Sequence, residues 1–342
     1  MNKIDIRNLS FDELSDELNK RGYPKFRSSQ IYDWLQAKGV MSFDEMTNIS
    51  KEARCALNED FEIKTCSIKR KLVSKIDGTV KYLFEFNDNS TVESVVMKYK
   101  YGYSICISTQ VGCKMGCTFC ASAIGGFQRH LTPSEMLCEI LTAQKDLDIR
   151  ISHIVLMGTG EPLDNYDNVL KFLRLVTDEK GQNLSMRHIS LSTCGLCDKI
   201  RALADEQLQL TLSVSLHAPN DEIRRKTMPI ANKYSIDEVL DACRYYTDKT
   251  NRRISFEYAM ISGVNDSDDN AKELCKRLRG ILCHINLIPV NEIKERDYKK
   301  SNSDRLRSFI SVCENAGFAV TVRRTLGSDI NASCGQLRQS TK

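Results

Sequence analysis

The chain has 342 residues, 41% hydrophobic and 27% charged, with a formal net charge of +4. That composition suits a globular protein able to bury one large core and a smaller one, and the modest charge permits nucleic-acid binding without arguing for it. The opening residues MNKIDIRNLSFDELSDELNK are charged throughout, and no apolar run approaches a signal peptide or a membrane span, so the expected protein is soluble and cytoplasmic. Fourteen cysteines in a reducing compartment then point to metal binding or catalysis before structural disulfides.

Residues 1–62 read as a small helical domain. FDELSDELNKRG and RSSQIYDWLQAKG carry apolar residues at helical spacing, and each stops at a glycine. Residues 63–98 change period. SIKRKLVSK, TVKYLFEF and TVESVVMKY alternate, with Asp77-Gly78 and Asn87-Asp88-Asn89 between them, which predicts a β-meander linking region. This stretch is also basic, with Lys64, Lys69, Arg70, Lys71, Lys75 and Lys81 against Asp77. It reads either as a solvated surface or, with Arg323-Arg324 near the C-terminus, as a phosphate-contacting patch.

From residue 99 to 330 short β-rich runs (YSICIS, SHIVLMG, HISLST, TLSVSL, ISFEYAMI, HINLIP, FAVTVRR) alternate with amphipathic stretches such as PSEMLCEILTAQKDL and SIDEVLDACRYYTDK. Repeated β–α units predict an α/β fold with a parallel sheet. Their number favours a partial (β/α)6 barrel over an open two-sided sheet, followed by a tail over residues 331–342. In such barrels chemistry gathers where the strands end. Small and polar groups cluster there: three cysteines, GTGEP, Thr193-Cys194-Gly195, His217, Asn291 and Cys334.

The sharpest motif is C-x3-C-x2-C at Cys113, Cys117 and Cys120, following YSICIS. Three thiolates so spaced can converge on one face of a cubane iron–sulfur cluster, leaving a fourth iron open. Zinc is the competing metal, with Cys194-Gly195-Leu196-Cys197 as its second half-site. Cys106 stands apart, either a fourth ligand or a core cysteine on a strand. Cys138, Cys243, Cys275 and Cys313 fall in helical patterns and read as packing residues, as do Cys55 and Cys66. His130, His153, His188 and His284 read as structural or surface groups.

The three cysteines, with Phe119 before the last, resemble the radical S-adenosylmethionine (SAM) superfamily, and GTGEP resembles its glycine-rich SAM-binding segment. MKYKYGYSICISTQVGCKMGCTFCAS, MGTGEPLDNYDNV, SLHAPND, MPI, GVND and DINASCGQLR together resemble the RlmN family of 23S rRNA adenine-C2 methyltransferases. The related Cfr proteins methylate C8 of the same adenosine and tend to carry alanine in place of Pro162. Glu292 departs from the pattern, since many members have proline after the equivalent of Asn291.

The resemblance implies a [4Fe-4S] cluster on Cys113, Cys117 and Cys120, with SAM on the open iron. Gly160, Glu161, Ser192, Ser215, Leu216, His217 and Asn291 match SAM-contacting positions. One SAM methylates Cys334, and a second generates the radical that makes this methyl group reactive toward adenine C2. Glu93 matches the base that takes the C2 proton, and Cys106 the thiol that releases the RNA from Cys334. Implied partners are 23S rRNA, the tRNA adenosine beside the anticodon and a flavodoxin-like electron donor; no membrane is involved and the chain is expected to be a monomer. The basic stretch and the N-terminal helices are the expected RNA holders. The rival readings are C8 methylation, a radical SAM enzyme acting on a protein or small molecule, a redox carrier, and a zinc-stabilised RNA-binding module.

Overall fold

The computed structural model describes residues 3–293 and 295–337; Arg338 of the DINASCGQLR signature lies outside the described residues. The N-terminal unit is closed by two short parallel strands, β1 (Ile4–Asp5) and β2 (Phe61–Glu62), around α1 (Phe11–Lys20), α2 (Phe26–Tyr32) and α3 (Lys51–Asp60). Ser10 and Glu13 form a capping box at the start of α1, and Ser50 caps α3, satisfying backbone N–H groups that the helices leave open. The expected second helix ends early: α2 stops at Tyr32 and continues to Ala37 as one wider π-type turn. Leu14, Leu18, Ile31, Leu35, Leu57 and Phe61 give this unit its own core. Arg7, fully buried, reaches the carbonyls of Val40 and Lys64 and the Cys138 thiol, pinning the unit to the rest of the chain.

The meander forms as β3 (Cys66–Val73), β4 (Val80–Phe86) and β5 (Thr91–Tyr99). It is more than a link. β5 pairs antiparallel with β6 (Gly102–Cys106), which carries the meander into a ten-stranded sheet. After β6 comes a hairpin of β7 (Gln110–Gly112) and β8 (Phe127–His130), then α4 (Pro133–Leu147). The chain then repeats β9 (Ile151–Leu156), α5 (Tyr166–Thr177), β10 (Ile189–Thr193), α6 (Cys197–Asp205), β11 (Thr211–Ser215), α7 (Asp221–Thr227), α8 (Ile236–Thr250), β12 (Ile254–Met260), α9 (Asp268–Leu278), β13 (Cys283–Pro289), α10 (Ser303–Asn315) and β14 (Val320–Val322).

β6 and β9–β14 are all parallel and lie side by side in sequence order. A doubly wound sheet reverses its strand order at a switch point. This one never does. Six β–α units wind one way and β14 follows, with β14 and β3 as unpaired edges among the described residues, so the barrel is partial. Outward side chains such as Ile105, Ile154, Leu191, Leu212, Phe256 and Leu287 are buried in the main core. The alternate, inward positions Ser104, Ser192, Ser213, Ser255 and Glu257 are polar. Strands buried in apolar surroundings on both faces read as continuous apolar runs; the alternation here marks a polar barrel interior. Among the described residues no helix is long and apolar enough to cross a membrane.

α4 roofs the meander and β6. Its start is fixed twice: Thr132 and Glu135 form a capping box, and Arg129 on β8 makes a two-pronged pair with Glu135 at 2.9 Å on each prong. Replacing Thr132 with Ala should cost about 1 kcal/mol, read as a lower urea midpoint, while Arg129–Glu135 keeps the helix in place and iron content unchanged.

Candidate active site

At the C-terminal ends of the barrel strands a cavity of about 1040 Å³ opens, measured out to its mouth. Cys113, Cys117 and Cys120 lie on its wall, on the loop between β7 and β8. The loop is held at both ends. The Cys113 N–H donates to the Gly126 carbonyl at 3.1 Å, and the Thr118 N–H to the Thr227 carbonyl at 2.9 Å. Thr118 Oγ1 also meets the Tyr298 hydroxyl at 2.8 Å. Gly112 sits at φ +74°, and a Cβ there would lie 1.7 Å from the Gly126 oxygen, so no side chain fits at the root of the loop.

Burial pushes the Cys113 thiol up to about 12 and raises Cys117 and Cys120 as well, and a charge on one thiol opposes ionisation of its neighbours. As thiolates the trio needs a shared cation. Among the described residues no three His, Cys, Asp or Glu side chains converge on a point tightly enough for a single metal ion. A cubane takes each thiolate on a different iron and suits three sulfurs set apart around a cavity. A zinc site needs four ligands around one centre. Cys197 is packed in the main core at the start of α6, so the second half-site does not form, while Cys194 lies on the cavity wall. The donor set therefore fits an iron–sulfur cluster.

Beside the cysteine loop, the GTGEP loop is zipped to the chain after β6. Thr109 and Gln110 both donate N–H groups to the Thr159 carbonyl, at 2.9 and 3.2 Å. Gly160 has φ +110°, and a Cβ there would meet the Gln110 Cβ at 2.6 Å. Glu161 is buried and accepts from the backbone N–H groups of Cys194, at 2.7 Å, and Leu163, at 3.1 Å; burial raises its pKa. Its carboxylate thus fixes the turn after β10 as well as facing the cavity. Arg224, fully buried, completes that turn by donating to the Cys194 carbonyl at 2.7 Å.

Ser192 and Ser215 lie on the cavity wall, as does His217. His217 is held at φ +55°, with its carbonyl taken by Asn265 Nδ2 at 2.7 Å and its Nδ1 accepting from the Ala259 N–H at 2.9 Å. That leaves Nε2 as the protonated nitrogen of a neutral ring, placed edge-on to Phe119 at 4.9 Å. Burial, helped by the Arg224 charge, lowers the His217 pKa to about 3. The Leu216 side chain points outward into the apolar core, because strand alternation puts 215 and 217 on the inner face. Its N–H donates to the Glu257 carbonyl at 3.1 Å, so its own carbonyl is the group left for a ligand.

Asn291 lies on the wall and donates Nδ2 to the Cys334 carbonyl at 2.9 Å. Cys334 faces the same cavity. It also lines a smaller adjoining pocket, which it shares with Cys106 and Arg323. Cys106 is thus away from the three-cysteine wall and beside Cys334. Burial pushes its thiol up to about 12, the nearness of Cys334 adds to this, and the Arg323 charge works the other way. Glu93 lines neither space. It is buried in an ion pair with Lys81 at 2.9 Å.

That pair removes Lys81 from the basic stretch as a surface group: it is 9% exposed and turned inward. Lys69, Arg70, Lys71 and Lys75 are exposed, Lys71 paired with Asp146 and Lys69 with Glu85. Arg323 faces the thiols, with Nη1 3.7 Å from Glu257. The four other histidines lie off the cavity wall; His153 stacks on His188 at 4.3 Å. The sequence gives no sign that Arg224 and Glu257 are buried, and it places Lys81 in a basic surface stretch, because charged residues in amphipathic helices and alternating strands read as surface. Asn265 lay within the quoted GVND, but nothing there tied it to His217.

A winding of this kind with three cysteines after its first strand defines a radical SAM enzyme, which uses a [4Fe-4S] cluster and SAM. The radical SAM superfamily model matches residues 107–275, and a model described as the ribosomal RNA large subunit methyltransferase N-terminal domain matches residues 4–63. The chain is 56% identical over 335 residues to a protein of Clostridium novyi (strain NT) named a probable dual-specificity RNA methyltransferase RlmN, covering 98% of each chain. A protein of the same name from Clostridium tetani (strain Massachusetts / E88) is 54% identical over 338 residues, covering 99% of this chain and 97% of its own. The crystal structure of a radical SAM methyltransferase from Sphaerobacter thermophilus superposes with a TM-score of 0.94 at 38% identity, covering 98% of this chain and 99% of that one. The chain belongs to the RlmN family.

Two outcomes follow from the geometry. Gly112→Ala should fold yet fail to hold its cluster, falling from about four irons per chain to under a quarter of that after anaerobic reconstitution, with unchanged far-UV circular dichroism. His217, ordinarily near 6.5, sits at about 3 when folded. Between those values the unfolded chain binds a proton that the folded chain does not. Stability should therefore fall as pH drops below 6.5, by about 1.4 kcal/mol per unit from this group. Denaturation midpoints should show a shallower fall in His217→Asn.

Proposed function

We propose that this chain methylates C2 of an adenosine in 23S rRNA and C2 of the adenosine beside the anticodon in tRNA, using two SAM molecules and an S-methylcysteine at Cys334. The observation that carries the reading is the double placement of Cys334. It faces the cavity of the three cluster cysteines and also shares a pocket with Cys106.

Adenine C2 lies between two ring nitrogens and is electron-poor, so it does not attack an electrophilic methyl group. When bound, the cluster and SAM would supply the methyl group, the reducing electron and the radical character that this carbon requires, and the cluster would take back the one electron released as the base regains its closed shell. The residues do the rest. Cys334 carries the methyl group and presents it to the base, which must leave its stack to reach the cavity. Glu93 takes the C2 proton. The Cys106 thiolate then attacks the Cys334 sulfur: the S–S bond forms as the S–C bond to the RNA-linked carbon breaks, and that carbon keeps the electron pair and picks up a proton. An external two-electron reductant reopens the disulfide. The setting of this reading is a cytoplasmic monomer served by a flavodoxin-like electron donor.

Reconstituted, reduced enzyme with methyl-labelled SAM and protein-free ribosomal RNA should yield labelled 2-methyladenosine after digestion and mass spectrometry. Labelled 8-methyladenosine would replace the reading with the C8 activity. Cys106→Ala should hold RNA on Cys334 as a covalent adduct with turnover reduced about a hundredfold or more; normal multiple turnover by that variant would remove Cys106 from the release step.

A further inference from the structure

The meander grips the tail that carries Cys334. Three contacts join the β3–β4 hairpin to the chain after β14. Ser74 Oγ donates to Asp329 Oδ1 at 2.7 Å, the Lys75 N–H donates to Asp329 Oδ2 at 2.9 Å, and the Gly327 N–H donates to Asp77 Oδ2 at 2.9 Å. Each side thus offers one carboxylate to the other's backbone. Further along, the tail is tied to the core. Ala121 donates its N–H to the Gly335 carbonyl at 2.8 Å, and Ser122 its hydroxyl to the Leu337 carbonyl at 2.7 Å.

Lys81 stands between these two sets. It lies on β4 opposite Val95, two pairs along from the Leu83–Glu93 pair and so on the same face of the sheet. Its Nζ is 2.9 Å from Glu93 Oε1 and donates to the Asn331 carbonyl at 3.0 Å. Its side chain is 9% exposed and that of Glu93 is 4% exposed. Glu93 shares its strand face with Val95 and Met97, which line the pocket of Cys106 and Cys334. One ammonium group therefore joins a buried carboxylate to the peptide three residues before Cys334.

We propose that Lys81 is a positioning residue that holds the Glu93 carboxylate and the Cys334-bearing tail in one register, so that the proton acceptor and the methyl-carrying sulfur address the same bound base. This rests on the roles given above to Glu93 and Cys334. A point charge with three donors can serve a carboxylate and a carbonyl together. An apolar side chain of similar length, such as methionine, offers neither the charge nor a donor to the carboxylate. The Asp77 and Asp329 contacts fix the tail's path but do not touch Glu93, which separates tail docking from placement of the carboxylate.

The test uses reconstituted full-length enzyme with iron content checked for every variant. Hydrogen exchange of the 326–337 peptide reports the strap without any RNA. The mass of intact protein reports S-methylation of Cys334, and the decay of the protein–RNA adduct reports the later step. In Lys81→Met, tail exchange should quicken about tenfold, Cys334 should still be methylated, and the adduct should persist about tenfold to a hundredfold longer. Lys81→Arg should restore tail protection and most of the release rate. Asp329→Asn should quicken tail exchange while changing adduct lifetime by less than about threefold.

Unchanged tail exchange in Lys81→Met would overturn the strap. Faster exchange with a wild-type adduct lifetime would overturn the coupling, as would an Asp329→Asn adduct as long-lived as that of Lys81→Met. If Lys81→Met does not retain its iron, Lys81→Leu takes its place under the same outcomes. If wild-type enzyme forms neither adduct nor methylated adenosine, the proposed function fails, and tail exchange alone then decides the strap.

Discussion

The site depends on a sheet that winds in one direction only. Each crossover from β6 through β14 returns to the next position along the sheet, so every helix lies on the same side and the other side curls inward. The strand ends then form a rim around a shared mouth instead of lining a crevice. Cys113–Cys120, GTGEP, Ser192, Ser215, His217 and Asn291 come from different strand ends, and only this curvature brings them to one cavity. The polar inner face follows from the same winding, since inward side chains meet one another across the barrel rather than a second layer of helices.

Much of the rim is held by backbone polar groups satisfied by side chains from elsewhere. Glu161 and Arg224 each serve the turn after β10, and Asn265 holds both the His217 and Ala259 carbonyls. Burying such groups costs free energy unless they are paired, so each pair is worth more here than on the surface. That gives a physical reason for the stretch GVND and for Thr227, which precedes MPI. Thr227 holds the cysteine loop, and Asn265 lets a non-glycine residue keep a positive φ at His217.

The meander extends the sheet past β6 and so carries Glu93 and Lys81 to the side of the mouth where the tail arrives. Two carboxylates exchanged across that junction, Asp77 and Asp329, dock the start of the tail, and Cys334 further along it faces two spaces at once. The Cys106 thiol sits high because water is excluded, and Arg323 is the cation set against that tendency.

The sequence by itself determined the strand–helix alternation, the count of β–α units, the three-cysteine loop and the strand-end positions of most site residues. These are local properties: a period of two or of 3.6, a glycine at a turn, a spacing between thiols. It also carried enough signature stretches to indicate the family. Only the tertiary structure decided that the meander belongs to the same sheet, that Leu216 turns into the core while Ser215 and His217 turn inward, that Lys81 is buried on Glu93 rather than free for phosphate, and that Cys106 shares a pocket with Cys334, a pairing the family resemblance implied but no local pattern carried. Those facts depend on which strand pairs with which and where a distant tail docks. A charged residue in an alternating strand has the same local pattern whether its face meets water or a buried carboxylate, so nothing short of the packed chain distinguishes the two.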